Sequence, residues 1–353
     1  MADGQAPIGV PLTPVKQGRG SYVGLVQIIG LKIVGVVVMI LLVASFTFFL
    51  VRLLPGDPVK QAYEQLIMQG ASPEQAARQV EVLYGFVSNE PLYLQYVHYL
   101  WRLLHFDLGE SISYAGLSVS HLVASAAPFT IVLVLTGIMA SFLFGVALGV
   151  LAAMRRGTKL GDFISITGSM LHGIPQFVMA LLLLYVFSTL LELFPYGAPY
   201  SAGLQPGLYP AFIGSLLWHG TLPVVTYALS SYGGWLLATK SSVVSVLGDD
   251  FIMAAELRGL KRGTVMRYIA RNAMLPLFTI LTLSIGFMFG GSLFIESTFN
   301  YQGLGTLLLS AIGVRDYPLM SGSFLLISVA VIVANAISDA MYVFIDPRVR
   351  RSS

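Results

Sequence analysis

Asp250-Phe-Ile-Met-Ala-Ala-Glu-Leu-Arg-Gly259, running on to Arg271-Asn-Ala-Met-Leu-Pro276, is a basic, well-capped stretch wedged between two long apolar runs. Asp249 and Asp250 stand where a short helix through Leu257 would begin, and Gly259 where its left-handed C-terminal residue would fall. Thr264 can cap a second helix leading into Pro276. Two helices joined by a tight turn make a compact knob on which something can dock. A loop that merely connected the two runs could be short and formless.

The surroundings of the knob are apolar. The chain is 56% hydrophobic and 10% charged, with a mean hydropathy of +0.79, far from the soluble norm of roughly 25% charged residues. It reads as an all-α integral membrane protein. Runs long enough to cross about 30 Å of hydrocarbon fall near 31–54, 128–154, 164–193, 221–242, 277–295 and 320–345, so about six transmembrane helices are expected. Residues 1–30 form an N-terminal tail, 31–54 the first helix, 55–127 a long polar segment, 128–345 a five-helix core with the knob at 243–273, and 346–353 a tail.

Short loops rich in Lys and Arg stay cytoplasmic. Arg155, Arg156 and Lys159 sit in one loop, Arg258, Lys261, Arg262, Arg267 and Arg271 in the knob, and Arg348, Arg350 and Arg351 in the tail, whereas 195–219 has none. Both termini are therefore expected in the cytoplasm and 55–127 outside. A cleaved signal peptide is not expected, because the first apolar run of about 24 residues exceeds a signal core and no small-residue cleavage site follows it. The chain contains no cysteine, which excludes disulfides and thiolate chemistry.

The external segment carries its own helix signals. Ser72-Pro-Glu-Gln75 has the form of a capping box with Pro at the first helical position, opening a helix to about Tyr84. From Pro91, Tyr93, Tyr96, Tyr99 and Trp101 are interleaved with leucines. Such aromatic density suits either the membrane interface or a small packed cap.

Polar groups inside the apolar runs are few. Asn335 and Asp339 lie four apart on one helical face, and a structural pairing near the cytoplasmic end is the expectation. Lys240 is expected to snorkel to the inner surface. Pro175, with Gly173, weakens the third run, as a kink, break or hinge. Gly145-x-x-x-Gly149 and Gly286-x-x-x-Gly290 permit close helix contacts. The five histidines form no metal-ligand spacing with Asp or Glu, and no phosphate-binding glycine loop is present.

The pattern Asp250, Ala254, Ala255, Gly259, Arg271-Asn272-Ala273 and Leu275-Pro276 resembles the coupling-loop signature of ABC transporter permeases of the oligopeptide, dipeptide and nickel import family. Leu54-Pro-Gly-Asp-Pro58, Asp107-Leu-Gly-Glu-Ser111, Glu296-Ser-Thr-Phe-Asn-Tyr-Gln-Gly-Leu-Gly305, Arg315-Asp-Tyr-Pro318 and Asn335…Asp339…Tyr342…Asp346-Pro-Arg-Val-Arg350 are similar to motifs of that family's first permease subunit. Two departures stand out. Met253 occupies a place that is usually acidic, so no salt bridge to a partner is expected there, and Glu256 a place that is often basic.

The resemblance implies a type I ABC importer permease fold with a helical external segment after the first helix. It implies a transport subunit, not an enzyme, without cofactor or metal of its own. ATP and Mg would be bound by two partner ATPase subunits. The other implied partners are a second related permease, an extracytoplasmic solute-binding protein and membrane lipid, with no nucleic acid, in a bacterial or archaeal cell (inner) membrane. Docking would lean on Ala254, Ala255 and Gly259, flanked by Asp250, Glu256, Arg271, Asn272 and Pro276. Pro175, Gly286, Gly290, Asn335 and Asp339 are hinge or structural candidates. Oligopeptide is the leading expectation for cargo. Oligosaccharide is the alternative if Tyr227 and Ser231-Tyr-Gly-Gly-Trp235 stack on sugar rings, with metal chelates or opine-like solutes behind it. A secondary transporter or channel would be expected to show inverted repeats and midplane ionisable groups, and an intramembrane enzyme converging acids or histidines. Neither pattern is found.

Overall fold

The computed structural model describes residues 20–53, 58–84, 91–114 and 116–345. Leu54 to Asp57 of the first motif, residues 1–19, the C-terminal tail with the Asp346 to Arg350 motif and the side chain of Asp339 lie outside the described residues, while residues 20–30, expected in the N-terminal tail, are already helical. The rest is helical. Among the described residues the only β-type pairing is an isolated bridge between Glu110 and Ser118.

The elements in order are α1 (Gly20–Leu53), α2 (Pro58–Met68), α3 (Pro73–Tyr84), α4 (Leu92–Leu104), α5 (Val119–Met154), α6 (Lys159–His172), α7 (Gln176–Leu183) with a π-helical continuation (Leu184–Leu190), α8 (Pro210–Leu247), α9 (Asp250–Leu257), α10 (Arg262–Thr298), α11 (Leu304–Gly313) and α12 (Tyr317–Ile345). Parts of α1, α5, α8, α10 and α12 are long and apolar enough to cross a membrane. The third expected run is divided: α6 and the α7 segment meet at 100°. Pro175 stands at the break in an extended conformation (φ −54°, ψ 139°), having neither an amide proton nor the freedom to continue the preceding turn.

Pro276 behaves differently. The expected second cytoplasmic helix ending there is in fact the first part of α10, which runs through Pro276 without a break. Pro276 removes the amide donor that would bond the Asn272 carbonyl four residues back, and the next carbonyl along the chain meets α8. Ser242 Oγ on α8 donates to the Ala273 carbonyl at 2.8 Å.

Helix contacts are set by absent side chains. Along α5, a Cβ on Gly137 would meet the Tyr227 ring, one on Gly145 the Trp235 Cβ and Tyr232 carbonyl, and one on Gly149 Thr239 and the Leu236 carbonyl, all on α8. A Cβ on Gly233 of α8 would run into the Gly168 carbonyl of α6, and one on Gly286 of α10 into the Asn335 amide of α12. Gly290 faces open space and Gly291 meets Gln176. Gly145 and Gly149, and Gly286 of the second motif, thus serve packing within the chain, whereas Gly290 does not. Lys240, expected to snorkel, bonds the Ser165 hydroxyl of α6 at 2.8 Å.

Helices α2 to α4 form a cap. The capping box is present in both directions: Ser72 N donates to Gln75 Oε1 (3.0 Å) and Gln75 N to Ser72 Oγ (3.2 Å). Phe48 of α1, Val59 and Val80 are buried together with Tyr96 and Tyr99 packed on them. Arg102 and Asp107 pair at 2.8 Å. Partial burial would raise the Asp107 carboxyl, but the Arg102 side chain and the Gly109 amide outweigh it and hold it below its ordinary 3.8.

Replacing Gly233 by Ala is expected to lower the thermal unfolding midpoint in detergent, by an overpacking cost of about 1–3 kcal/mol. Gly290→Ala is expected to leave the midpoint unchanged or raise it through helix propensity. Equal losses from both would show that close backbone approach is not what holds α6 against α8.

Candidate functional site

Short α9 owes its setting to one inward pair. Ile252 and Ala255, three apart on the helix, are buried with Ala153 of α5, Val243 and Val246 of α8, and Val265, Ile269 and Ala273 of α10. The knob is therefore bolted to the ends of three long helices. At about 1.5 Å per residue, the 37 residues of α10 extend roughly 55 Å, longer than the ~30 Å apolar core alone requires.

The ends of α9 are made by backbone. Gly259 is left-handed (φ 70°), its amide bonds the Glu256 carbonyl (2.9 Å), and the Leu260 amide the Ala255 carbonyl (3.2 Å). That is a Schellman motif. At the other end Asp249 holds the N-cap position without a side-chain capping bond; its main-chain carbonyl receives the Ile252 amide at 3.0 Å. Asp250 adds a negative charge to the first turn. Thr264 is not a cap, because the backbone enters α10 at Lys261 (ψ 136°) and Thr264 already donates to the Lys261 carbonyl at 2.8 Å.

Burial of one pair fixes what the knob presents outward. Asp250, Ala254, Glu256 and Gly259 are exposed. Ala255 is only 5% exposed, so it cannot form the docking surface expected of it; it sets the phase of the helix. Leu257 is 84% exposed and Met253 62%, with Phe251 and Leu260 also open. This apolar group was not singled out from sequence. The i, i+3 pair Ile252 and Ala255 is the signal that would have found it, since an eight-residue helix burying that face must turn Met253 and Leu257 away. Arg271, Asn272 and Pro276 are exposed on α10, with the Asn272 amide folded back to the Tyr268 carbonyl.

On the opposite face two acids are wholly buried. Glu296 Oε2 accepts from the Gly305 amide (2.8 Å) and the Thr306 amide (3.3 Å), while Thr130 Oγ1 of α5 accepts from Leu304 N (2.8 Å). The first three amides of α11, which no helix can bond internally, are thereby all satisfied. Gly303 and Gly305 are required by the close approach: a Cβ on Gly303 would sit 2.5 Å from both Glu296 Oε2 and Thr130 Oγ1. Asp316 acts likewise. Its Oδ1 accepts from Leu319 N (3.1 Å) at the start of α12, and its Oδ2 from Ser111 Oγ (2.5 Å) and Ser113 N (2.9 Å). Glu296, Asp316 and Ser111 all come from the quoted motifs, which the fold brings together in pairs to hold backbone. Just inside this layer, Tyr301 and Gly220 help line an apolar cleft of about 310 Å³ between α5 and α8.

The aromatic residues considered for sugar stacking are packed away. Tyr227, Tyr232 and Trp235 are buried; Trp235 lies edge-on to Phe142 at 5.2 Å. His172 engages the Ser230 carbonyl and His219 the carbonyls of Gly197 and Ala198, which are packing roles.

Residues 145–351 match the family model for the binding-protein-dependent transport system inner membrane component. The chain is 33% identical over 313 residues to a putative peptide permease protein of Brucella suis, covering 88% of this chain and 95% of that protein. It is 32% identical over 325 residues to the glutathione transport system permease protein GsiC of Salmonella typhimurium, covering 90% and 97%. Against the oligopeptide transport system permease protein AppB of Bacillus subtilis the identity is 31% over 308 residues, covering 87% and 94%.

Replacing Glu296 by Ala leaves the buried Gly305 and Thr306 amides without an acceptor, at about 1–3 kcal/mol for each. Glu296→Gln keeps a carbonyl oxygen there. Detergent thermal unfolding is expected to rank wild type and Gln together and Ala well below; an Ala variant as stable as wild type would remove the clasp role.

Proposed function

We propose, because this chain belongs to the family of binding-protein-dependent transport system inner membrane components, that it forms half of the solute pathway of a peptide importer and is driven through α9. It is a multi-pass permease subunit, a transport component and not an enzyme. Hydrolysis of ATP with Mg is assigned to two partner ATPase subunits, and the other half of the pathway to a second, related permease. A solute-binding protein delivers cargo on the face that carries α11, and the basic loops place both termini in the cytoplasm.

The observation that carries the driving role is the outward apolar group on a rigidly seated knob: Met253 and Leu257 on α9, with Phe251 and Leu260 beside them. Large apolar side chains this open are anchors for a partner. A push on α9 reaches α5, α8 and α10 together, because Ile252 and Ala255 share one core with all three. Met253 in place of an acid fits an apolar seat for this docking.

Peptide as cargo is supported by the names of the relatives and by the burial of Tyr227, Tyr232 and Trp235, which leaves those rings no face for a sugar. Reconstituted with its partners, the transporter is expected to show peptide-stimulated ATPase activity and uptake. Stimulation by oligosaccharides alone would move the cargo assignment and leave the architecture standing.

Leu257→Asp changes a side chain that is 84% exposed, so the stability of the chain itself should move by no more than about 0.5 kcal/mol. Loss of an interface anchor of about 2 kcal/mol weakens association roughly 30-fold. Gly259→Trp adds bulk toward open space and also puts a side chain on a left-handed residue that ends α9, and is expected to uncouple hydrolysis from uptake. Unchanged assembly in the first variant together with unchanged uptake in the second would refute docking through α9.

A further inference from the structure

Helix α4 has two apolar faces. One, with Tyr96 and Tyr99, packs on Phe48 of α1. The other is a stripe at helical spacing, Tyr93, Val97, Trp101 and Leu104, exposed by 68%, 55%, 64% and 72%. Between the two runs a polar strip of His98, Arg102 and His105. Solvating that stripe would be costly, at about 25 cal/mol for each Å² of apolar surface.

The depth of α4 decides what covers the stripe. Tyr96 Oη and Ser45 Oγ are 2.6 Å apart, and the Tyr96 ring stacks on Phe49 at 5.8 Å. Ser45 and Phe49 both belong to the apolar span Gly30–Leu50 of α1. Ser45 lies seven residues, roughly 10 Å along the helix, before Arg52, the first charged residue at the outer end of the apolar run. A helix touching α1 at this level lies at the boundary between headgroups and acyl chains, where Trp and Tyr concentrate and where interfacial helices sink their apolar face about 5–10 Å.

The outward surface of α1 is continuous with this level. Leu42 is 63% exposed and Phe46 57%, and most of the other open positions among the described residues of α1 are Leu, Ile, Val and Met, with Phe49, Gly30 and Gly35 also open. Protein contacts in lipid favour small residues; large aliphatics suit acyl chains. A soluble binding protein that comes and goes would leave the stripe in water whenever it departed, and could not reach a turn below the span's end.

We infer that α4 is an interfacial helix whose Tyr93, Val97, Trp101 and Leu104 stripe is immersed in the outer leaflet, with phospholipid as its occupant, anchoring the external cap to the bilayer. The polar strip with His98 marks the water level. Anchored in this way, the cap holds the outer end of α1 at fixed depth while the helices beneath it move.

The chain has no cysteine, so single cysteines at Val97, Leu104 and His98 can each carry a nitroxide in the intact transporter reconstituted in phospholipid vesicles. Collision rates with oxygen, which concentrates in lipid, and with a water-soluble nickel chelate are then compared. At 97 and 104 oxygen is expected to dominate by several-fold, and at 98 the chelate. Chelate dominance at 97 and 104 would overturn the inference in favour of a wet surface. Low collision with both reagents there would overturn it in favour of a protein neighbour. Two independent positions on the stripe, neither of them packed in the core, guard against one labelled variant failing to fold, and retained uptake confirms each.

Discussion

The close approach of α5 and α8 is the constraint on which the remaining structure depends. In lipid, helices gain little by hiding apolar surface from one another, so they are held by van der Waals contact and by what hydrogen bonding they can find. Gly137, Gly145 and Gly149 remove the side chains that would keep the backbones apart, and α8 fills the trough with Tyr227, Trp235 and Thr239. Because α8 is fixed along α5, its far face can accept α6 at Gly233, and its cytoplasmic end can share a core with α9 and α10. A longer side chain at any of these glycines acts on more than one interface, since α8 is common to all of them.

The two ends of the bundle solve different problems. At the end that carries α9 the polar main chain is closed locally, through Gly259 and the Asp249 carbonyl, which leaves side chains of α9 free to face outward. At the other end the short helix α11 and the start of α12 enter buried surroundings, where open amides are expensive. There the chain uses Glu296, Thr130 and Asp316 as acceptors. The two acids among them hold main-chain amides, and Asp316 the Ser111 hydroxyl as well, which gives carboxylates in the interior a structural role.

Much of this was legible in sequence where a local rule acts alone. Ser72 to Gln75 formed the box that its spacing announced, and Gly259 took the left-handed turn, because caps depend on a few neighbouring residues. Pro175 and Pro276 show the limit. The same residue type stands at a break in one span and lies inside unbroken helices in others, at Pro128, Pro223 and Pro276, so proline alone does not foretell a break. The burial of Ala255 likewise depends on more than its neighbours in sequence: it is small and close to the turn, yet a core drawn from α5, α8 and α10 claims it. The roles of Glu296 and Asp316 were invisible because their partners are amides, which carry no residue identity.

The proposed coupling and anchoring roles make opposite demands on a permease chain, and the fold seats them apart. The knob proposed to transmit a push is seated on three long helices through one continuous core, so displacement of α9 without them would open that core. The cap of α2 to α4, proposed to stay at a fixed level, packs on α1 through Phe48, and the open surface of α1 is mostly large and aliphatic. A cap joined to α5 or α8 as firmly as α9 is would move with every stroke. Joined through α1 and Phe48, it can hold its depth while the core rearranges, and the aromatic residues of α4 serve both ends of that arrangement, Tyr96 and Tyr99 toward protein and Tyr93 and Trp101 away from it.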